Sequence, residues 1–137
     1  MSFSFKYKKV KRPDGTEIKT PSIPITIFEK ETIDTIGLID SGADISAISE
    51  EMATTLGIDC GGKRTPAYGI GGTVESVETT MKITILKAHE NYSFTIPVKV
   101  IIGQYDFPVL LGRAGFFDKF KIIFSQKEEK VTLKRFT

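Results

Sequence analysis

Cysteine is almost absent from the chain: Cys60 stands alone among 137 residues. A single thiol excludes an intramolecular disulfide and is compatible with a reducing compartment. Nor can it build a metal site, because the sole histidine, His89, lies in what reads as a turn. We therefore expect neither metal nor cofactor. An apolar signal core is missing from the N-terminus, where lysines alternate with aromatics, and no apolar run approaches membrane-spanning length. A charge excess is missing too. Nineteen Lys and Arg face seventeen Asp and Glu, which leaves +2, too near balance to imply a nucleic-acid partner. These absences lead us to expect a soluble, cytoplasmic protein with no membrane or nucleic-acid partner. Met1 favours an independent product over a piece of a longer chain. No linker, low-complexity tract or internal repeat divides the sequence, and its length suits one domain that buries a core without disulfides.

What the sequence has in quantity is alternation. Phe3, Phe5 and Tyr7 alternate with Ser4, Lys6 and Lys8, the period of a half-buried strand. Asp14-Gly15 then signals a tight turn, so residues 1–20 read as a basic N-terminal β-hairpin. Its cluster "KYKKVKR" is read as a solvated or edge-protecting strand rather than a phosphate-binding arm. Ile23, Ile25 and Ile27 alternate again, with Pro21 and Pro24 predicting an edge position. Met81–Ile85 and Tyr92–Val100 predict a long hairpin across "HEN", and "FKIIF" pairs with "KVTLKRF" in another. Two short helices are expected. Ser49 caps the first, with Glu50 and Glu51 in its first turn and Gly57 as its stop. Arg113–Phe120 offers the second. The expected class is all-β, one domain over residues 1–137.

Three stretches carry chemistry. In "IGLIDSGADISAIS" an apolar strand runs straight into Asp40, then Ser41 and Gly42, with no cation nearby in sequence. Such a triplet suits a tight catalytic loop, and equally an ordinary Asx-turn. In "YGIGG" a glycine-rich tip carries one apolar residue, Ile70, and reads as a mobile hairpin able to close over an extended ligand, or as a plain turn. A phosphate-cradling loop would need a preceding strand, a following helix and a Lys or Thr, and these are not evident. In "FPVLLGRAGFF" a buried strand ends at Gly112 and Arg113 follows. A cation opposes the dipole at a helix start, so Arg113 is expected to form an ion pair with Asp44.

Together these stretches resemble the retropepsin-like aspartic proteases, single-lobe retroviral-type relatives of pepsin. The resemblance rests on the "LIDSGAD" of Leu38–Asp44, the "GIGG" of Gly69–Gly72 and the "LLGR" of Leu110–Arg113, in that order, and spans Pro21 to Leu133. It implies a partly opened β-barrel with a glycine-rich flap and one or two short helices, active as a homodimer. The family's site needs two aspartates sharing one proton, since like charges so close cannot both ionise. Asp59-Cys60-Gly61 repeats the triplet only superficially: cysteine replaces the hydroxyl and no buried strand leads in. The second aspartate is therefore expected from a second copy of the chain.

The roles implied by the resemblance are specific. Asp40 is the catalytic acid/base, Ser41 cross-braces the two active loops and Gly42 admits the substrate backbone. Asp44 pairs with Arg113 and accepts hydrogen bonds from the substrate main chain. Gly69, Ile70, Gly71 and Gly72 form the flap, and Ala43, Ile45 and Ile70 line pockets that favour apolar residues beside the scissile bond. The expected function is an aspartic endopeptidase acting on extended polypeptide, with a mildly acidic optimum. Two alternatives are a non-catalytic peptide-binding domain of the same fold, and a small β-barrel module binding nucleic acid through Lys6–Arg12. The interleaved aromatic-basic surface of a single-strand binder is lacking outside that segment.

Overall fold

Side-chain alternation turns most of the chain into strands. The computed structural model describes residues 2–136. In chain order they form β1 (Ser2–Lys6), β2 (Lys8–Lys11), β3 (Glu17–Thr20), β4 (Ser22–Phe28), β5 (Thr32–Ile39), β6 (Ser46–Ser49), helix α1 (Glu50–Leu56), β7 (Arg64–Gly69), β8 (Gly72–Lys87), β9 (Glu90–Ile101), β10 (Val109–Leu111), two short turns from Arg113 to Lys119, β11 (Phe120–Ser125) and β12 (Lys130–Arg135). The fold is all-β, as expected.

Seven strands make the main sheet in the order β4-β5-β10-β6-β9-β8-β7, and β4 pairs again with β8, closing six of them into a ring. That second pairing corrects the expected edge position of β4. Ile25–Phe28 are bonded to β5 on one side and to Lys82–Ile85 on the other. Pro24 lies one residue outside the doubly paired stretch, where its missing N–H costs no bond to β8. Inward side chains at every second position, such as Ile23, Ile25, Ile27 on β4 and Met81, Ile83, Ile85 on β8, fill the ring and are almost fully buried. At about 25 cal/mol per Å² of apolar surface, each such side chain contributes roughly 1.5–3 kcal/mol.

The N-terminal segment is not one hairpin. β1 pairs antiparallel with β12, giving a three-stranded sheet β1-β12-β11, while only β2 and β3 form a hairpin of their own. Burial explains the difference: Phe3 packs edge-on against Phe120, which also meets Phe116 and Phe94, and Phe5 is buried in the same core, so β1 belongs to it. The helix expected over Arg113–Phe120 is also corrected. Arg113–Phe116 is broken internally by non-helical backbone at Ala114 and Gly115, and Phe117–Lys119 is a separate 3-10 turn. Gly115 has φ 80°, and a Cβ there would lie 2.6 Å from Pro97 Cδ, so β9 packs where a helix side chain would stand. α1 matches expectation: the Met52 N–H donates to Ser49 Oγ, and the helix ends at Gly57.

Candidate active site

β5 enters the core as it runs. Ile36 is still exposed, Gly37 and Ile39 are buried, and Asp40 follows at once, half-buried. What fixes Asp40 is β10, which lies parallel to the end of β5 with Val109–Leu111 beside Gly37–Ile39. The ladder continues past both strands, because the Asp40 N–H donates to the Leu111 carbonyl at 3.0 Å. The chain then turns tightly. The Gly42 N–H donates to Asp40 Oδ1 at 2.9 Å and the Ala43 N–H to the Asp40 carbonyl at 3.2 Å. One carboxylate oxygen is thereby oriented by backbone, and no ion-pair partner holds the group among the described residues.

A second loop locks the first. Four hydrogen bonds run from Gly112–Ala114 into Ser41–Ser46: Arg113 N–H to the Ala43 carbonyl (2.9 Å), Ala114 N–H to the Asp44 carbonyl (2.8 Å), Gly112 N–H to Ser46 Oγ (2.9 Å) and Arg113 Nη1 to the Ser41 carbonyl (2.6 Å). Their closeness requires a residue without a side chain. A Cβ at Gly112 would stand 2.6 Å from the Ile45 carbonyl carbon and 2.8 Å from the Ser46 nitrogen. The structure thus brings together Leu110–Arg113 and the Asp40 loop, two of the three stretches singled out by sequence.

The expected Asp44–Arg113 ion pair is absent. The Arg113 guanidinium goes to the Ser41 carbonyl, and Asp44 Oδ1 accepts from its neighbour's N–H, Ile45, at 2.9 Å. Main-chain bonds already fix the separation of the loops, and within it a carbonyl rather than a carboxylate meets the guanidinium. Asp44 is left exposed on the loop, beside half-buried Ala43 and Ile45 and exposed Ser41 and Gly42. Ser46 is a participant that sequence reasoning missed. It is fully buried, and its hydroxyl accepts the Gly112 N–H. Its signal was positional: a hydroxyl on the inward phase of a strand, two residues before buried Ile48, needs a partner.

The third stretch stands apart. β7 and β8 pair from Arg64↔Val77 to Gly69↔Gly72, leaving Ile70 and Gly71 as the turn. Ile70 is fully exposed, Tyr68 is 79% exposed, and no atom lies within 4 Å of a Cβ built at Gly69, Gly71 or Gly72. The tip projects into open space, with no hydrogen bond to the Asp40 loop among the described residues.

Comparisons with known proteins agree with this geometry. A family profile described as aspartyl protease matches residues 23–113. The structure is similar to that of a retropepsin-like aspartic protease from Rickettsia conorii, with a TM-score of 0.61 and 20% identity over 97% of this chain and 91% of that one. It is also similar to the retroviral protease-like domain of Ddi1 from Leishmania major, with a TM-score of 0.54 and 15% identity over 88% of this chain and 96% of that one. No curated protein matches the sequence. With Asp40, the loop lock up to Arg113 and most of the barrel inside the matched region, the chain belongs to the aspartyl protease family and carries the retropepsin-like fold.

Proposed function

We propose that the protein is an aspartic endopeptidase whose active form is a homodimer, with Asp40 of each subunit meeting on the two-fold axis. The observation that carries this reading is the placement of Asp40: a half-buried carboxylate at the end of a core strand, held by backbone on both sides and without an ion-pair partner among the described residues. The turn uses one carboxylate oxygen of Asp40, and two such groups facing one another across a dimer share a proton. One then takes a proton from water as the water attacks the peptide carbonyl. The other, protonated, donates a hydrogen bond to the developing oxyanion. The proton belongs to the pair, so the titration is that of a dyad.

Exposure supports the remaining roles. Ser41, exposed beside Asp40, is free to reach the partner's loop, and the Gly42 backbone is open to a substrate chain. The Asp44 carboxylate is available to accept from the substrate main chain. The β7–β8 tip, Gly69 to Gly72 with Ile70, acts as a flap and binds extended peptide by strand addition, while Ala43, Ile45 and Ile70 supply apolar pockets. Asp40 lines neither the groove along α1 nor the one beside β1. In the proposed dimer each subunit provides half of a cleft.

The test is cleavage of an unbiased peptide mixture across mildly acidic to neutral pH, read by mass spectrometry, with sedimentation of the same sample. Cuts from a dimer that vanish in Asp40→Asn are expected, strongest at mildly acidic pH. A folded dimer that binds peptides and cuts none would replace this reading with a peptide-binding domain of the same fold.

A further inference from the structure

A second region of the molecule has the makings of a binding site and shares no residue with the Asp40 loops. Among the described residues β1 is paired on one side only, with β12, so its outer edge keeps free N–H and C=O groups. Nearby the barrel forks. β4 and β8 pair from Phe28↔Lys82 to Ile25↔Ile85, and beyond that point Pro24 and Leu86 have no partner across the fork among the described residues. Between the fork and β1 runs a groove of about 540 Å³, lined by Ser4–Lys8 and Lys130 on one wall and by Pro24 and Leu86–Ala88 on the other.

Its charge has one sign. Lys6, Lys8, Lys87 and Lys130 line it, with no carboxylate among the lining residues. Two of these cations have weak local partners. Lys87 Nζ lies 5.1 Å from the Phe5 ring centroid, and Lys130 lies 3.8 Å from Glu128 with both side chains largely in water. Glu90 faces Lys87 across the β8–β9 turn but lies outside the lining. The other groove, along α1, has the opposite character, with Glu50, Glu51 and Asp106 and no lysine. Lysines on an open strand edge discourage unselective pairing. Gathered around one groove, they still admit a strand of opposite sign.

We propose that this groove docks an extended, acidic polypeptide segment, which adds as a strand to the free edge of β1. An acidic side chain of the added strand opposite Lys6 meets that lysine, with Lys130, its cross-strand partner, behind it on β12. Leu86, 56% exposed on the other wall, supplies an apolar contact. The docking does not depend on peptide-bond cleavage at Asp40.

The test is fluorescence anisotropy of the intact protein with a labelled alternating Glu-Val peptide, at low and at physiological salt. Binding that weakens with salt is expected. It should weaken at least about tenfold in Lys6→Glu/Lys87→Glu, with Lys6→Gln/Lys87→Gln intermediate, and stay unchanged in Lys121→Glu, an exposed β11 site outside the groove. A Glu-Val peptide N-methylated at its backbone amides keeps the charge but lacks the N–H groups a strand needs, and should bind far more weakly. Four results overturn the proposal. These are no binding, equal binding of the N-methylated peptide, tighter binding of oligothymidine at the same lysines, or a change of self-association in the charge-reversed variant, which would assign the groove to a second copy.

Discussion

Asp40-Ser41-Gly42 and Asp59-Cys60-Gly61 fold locally in the same way. In each, the glycine N–H donates to the aspartate Oδ1 at 2.9 Å. They differ in what stands behind them. Asp40 closes a core strand, its N–H extends the β5–β10 ladder, and four bonds tie its loop to Gly112–Ala114. Asp59 is exposed between α1 and β7, and the bonds around it are local, such as Ile58 N–H to the Ala53 carbonyl at 2.9 Å. An Asx-turn is therefore not a site by virtue of its own geometry. The sheet and the second loop fix the position of one carboxylate, as a reacting group would require, whereas only local bonds surround the other.

The largest effect should come from exchanging the carboxylates. Asp40→Asn is expected to lower peptide cleavage by at least about 10²–10⁴-fold, whereas Asp59→Asn should stay within about twofold. Initial rates on a peptide found in the unbiased mixture decide it, and equal losses would erase the contrast. Next come the glycines. Gly112→Ala drives a methyl against the Ile45–Ser46 backbone, which cannot yield, and should cost about 2–3 kcal/mol in urea unfolding. A Cβ at Gly61 would meet only the Asp59 carboxylate, at 3.0 Å, a side chain free to swing away. Gly61→Ala should thus stay within about 0.5 kcal/mol.

Arg113→Met tests the lock itself. The guanidinium bond to the Ser41 carbonyl is short but exposed, so its loss should cost only about 1 kcal/mol of stability. Cleavage should suffer more, about tenfold and mainly in kcat, because the loop carrying Asp40 loses its positioning. Arg64→Met, beside the other turn, should alter neither. A matched drop in both properties for Arg113→Met would reduce the arginine to a stabilising contact.

Much of this contrast was legible in the residues, for a physical reason. Period-2 alternation states which face of a strand is buried, so the β8–β9 and β11–β12 hairpins followed directly, as did the strand leading into Asp40 and the Ser49 cap. The absence of such a strand before Asp59 identified it as a loop residue. Alternation does not state which strands meet. The closure of β4 on β8 and the pairing of β1 with β12 join residues far apart in sequence, and the prolines of β4 pointed the wrong way. Nor does the pattern give side-chain partners at a loop crossing. Arg113 was read through its charge, yet it binds a carbonyl, because backbone contacts set the geometry first. The turns after Arg113 were read as a helix because the requirement at Gly115 comes from Pro97 on another strand.

The smallest effect sharpens the comparison most narrowly, through Cys60. Burial pushes its thiol above the ordinary range, the Glu50 carboxylate adds to this, Arg64 opposes it, and Asp59 raises it a little further. If Asp59 acts on nothing but this neighbour, Asp59→Asn should lower the thiol's titration midpoint slightly. Its reaction with a disulfide reagent at neutral pH should then speed up by less than about threefold. Glu50→Gln, which removes the larger charge effect, should speed it more, and Asp40→Asn should leave it unchanged. The thiol is a reporter inside the second turn, with a readout independent of catalysis. A rate that moves with Asp40→Asn would mean that the two turns communicate, and the separation drawn from their scaffolds would fail.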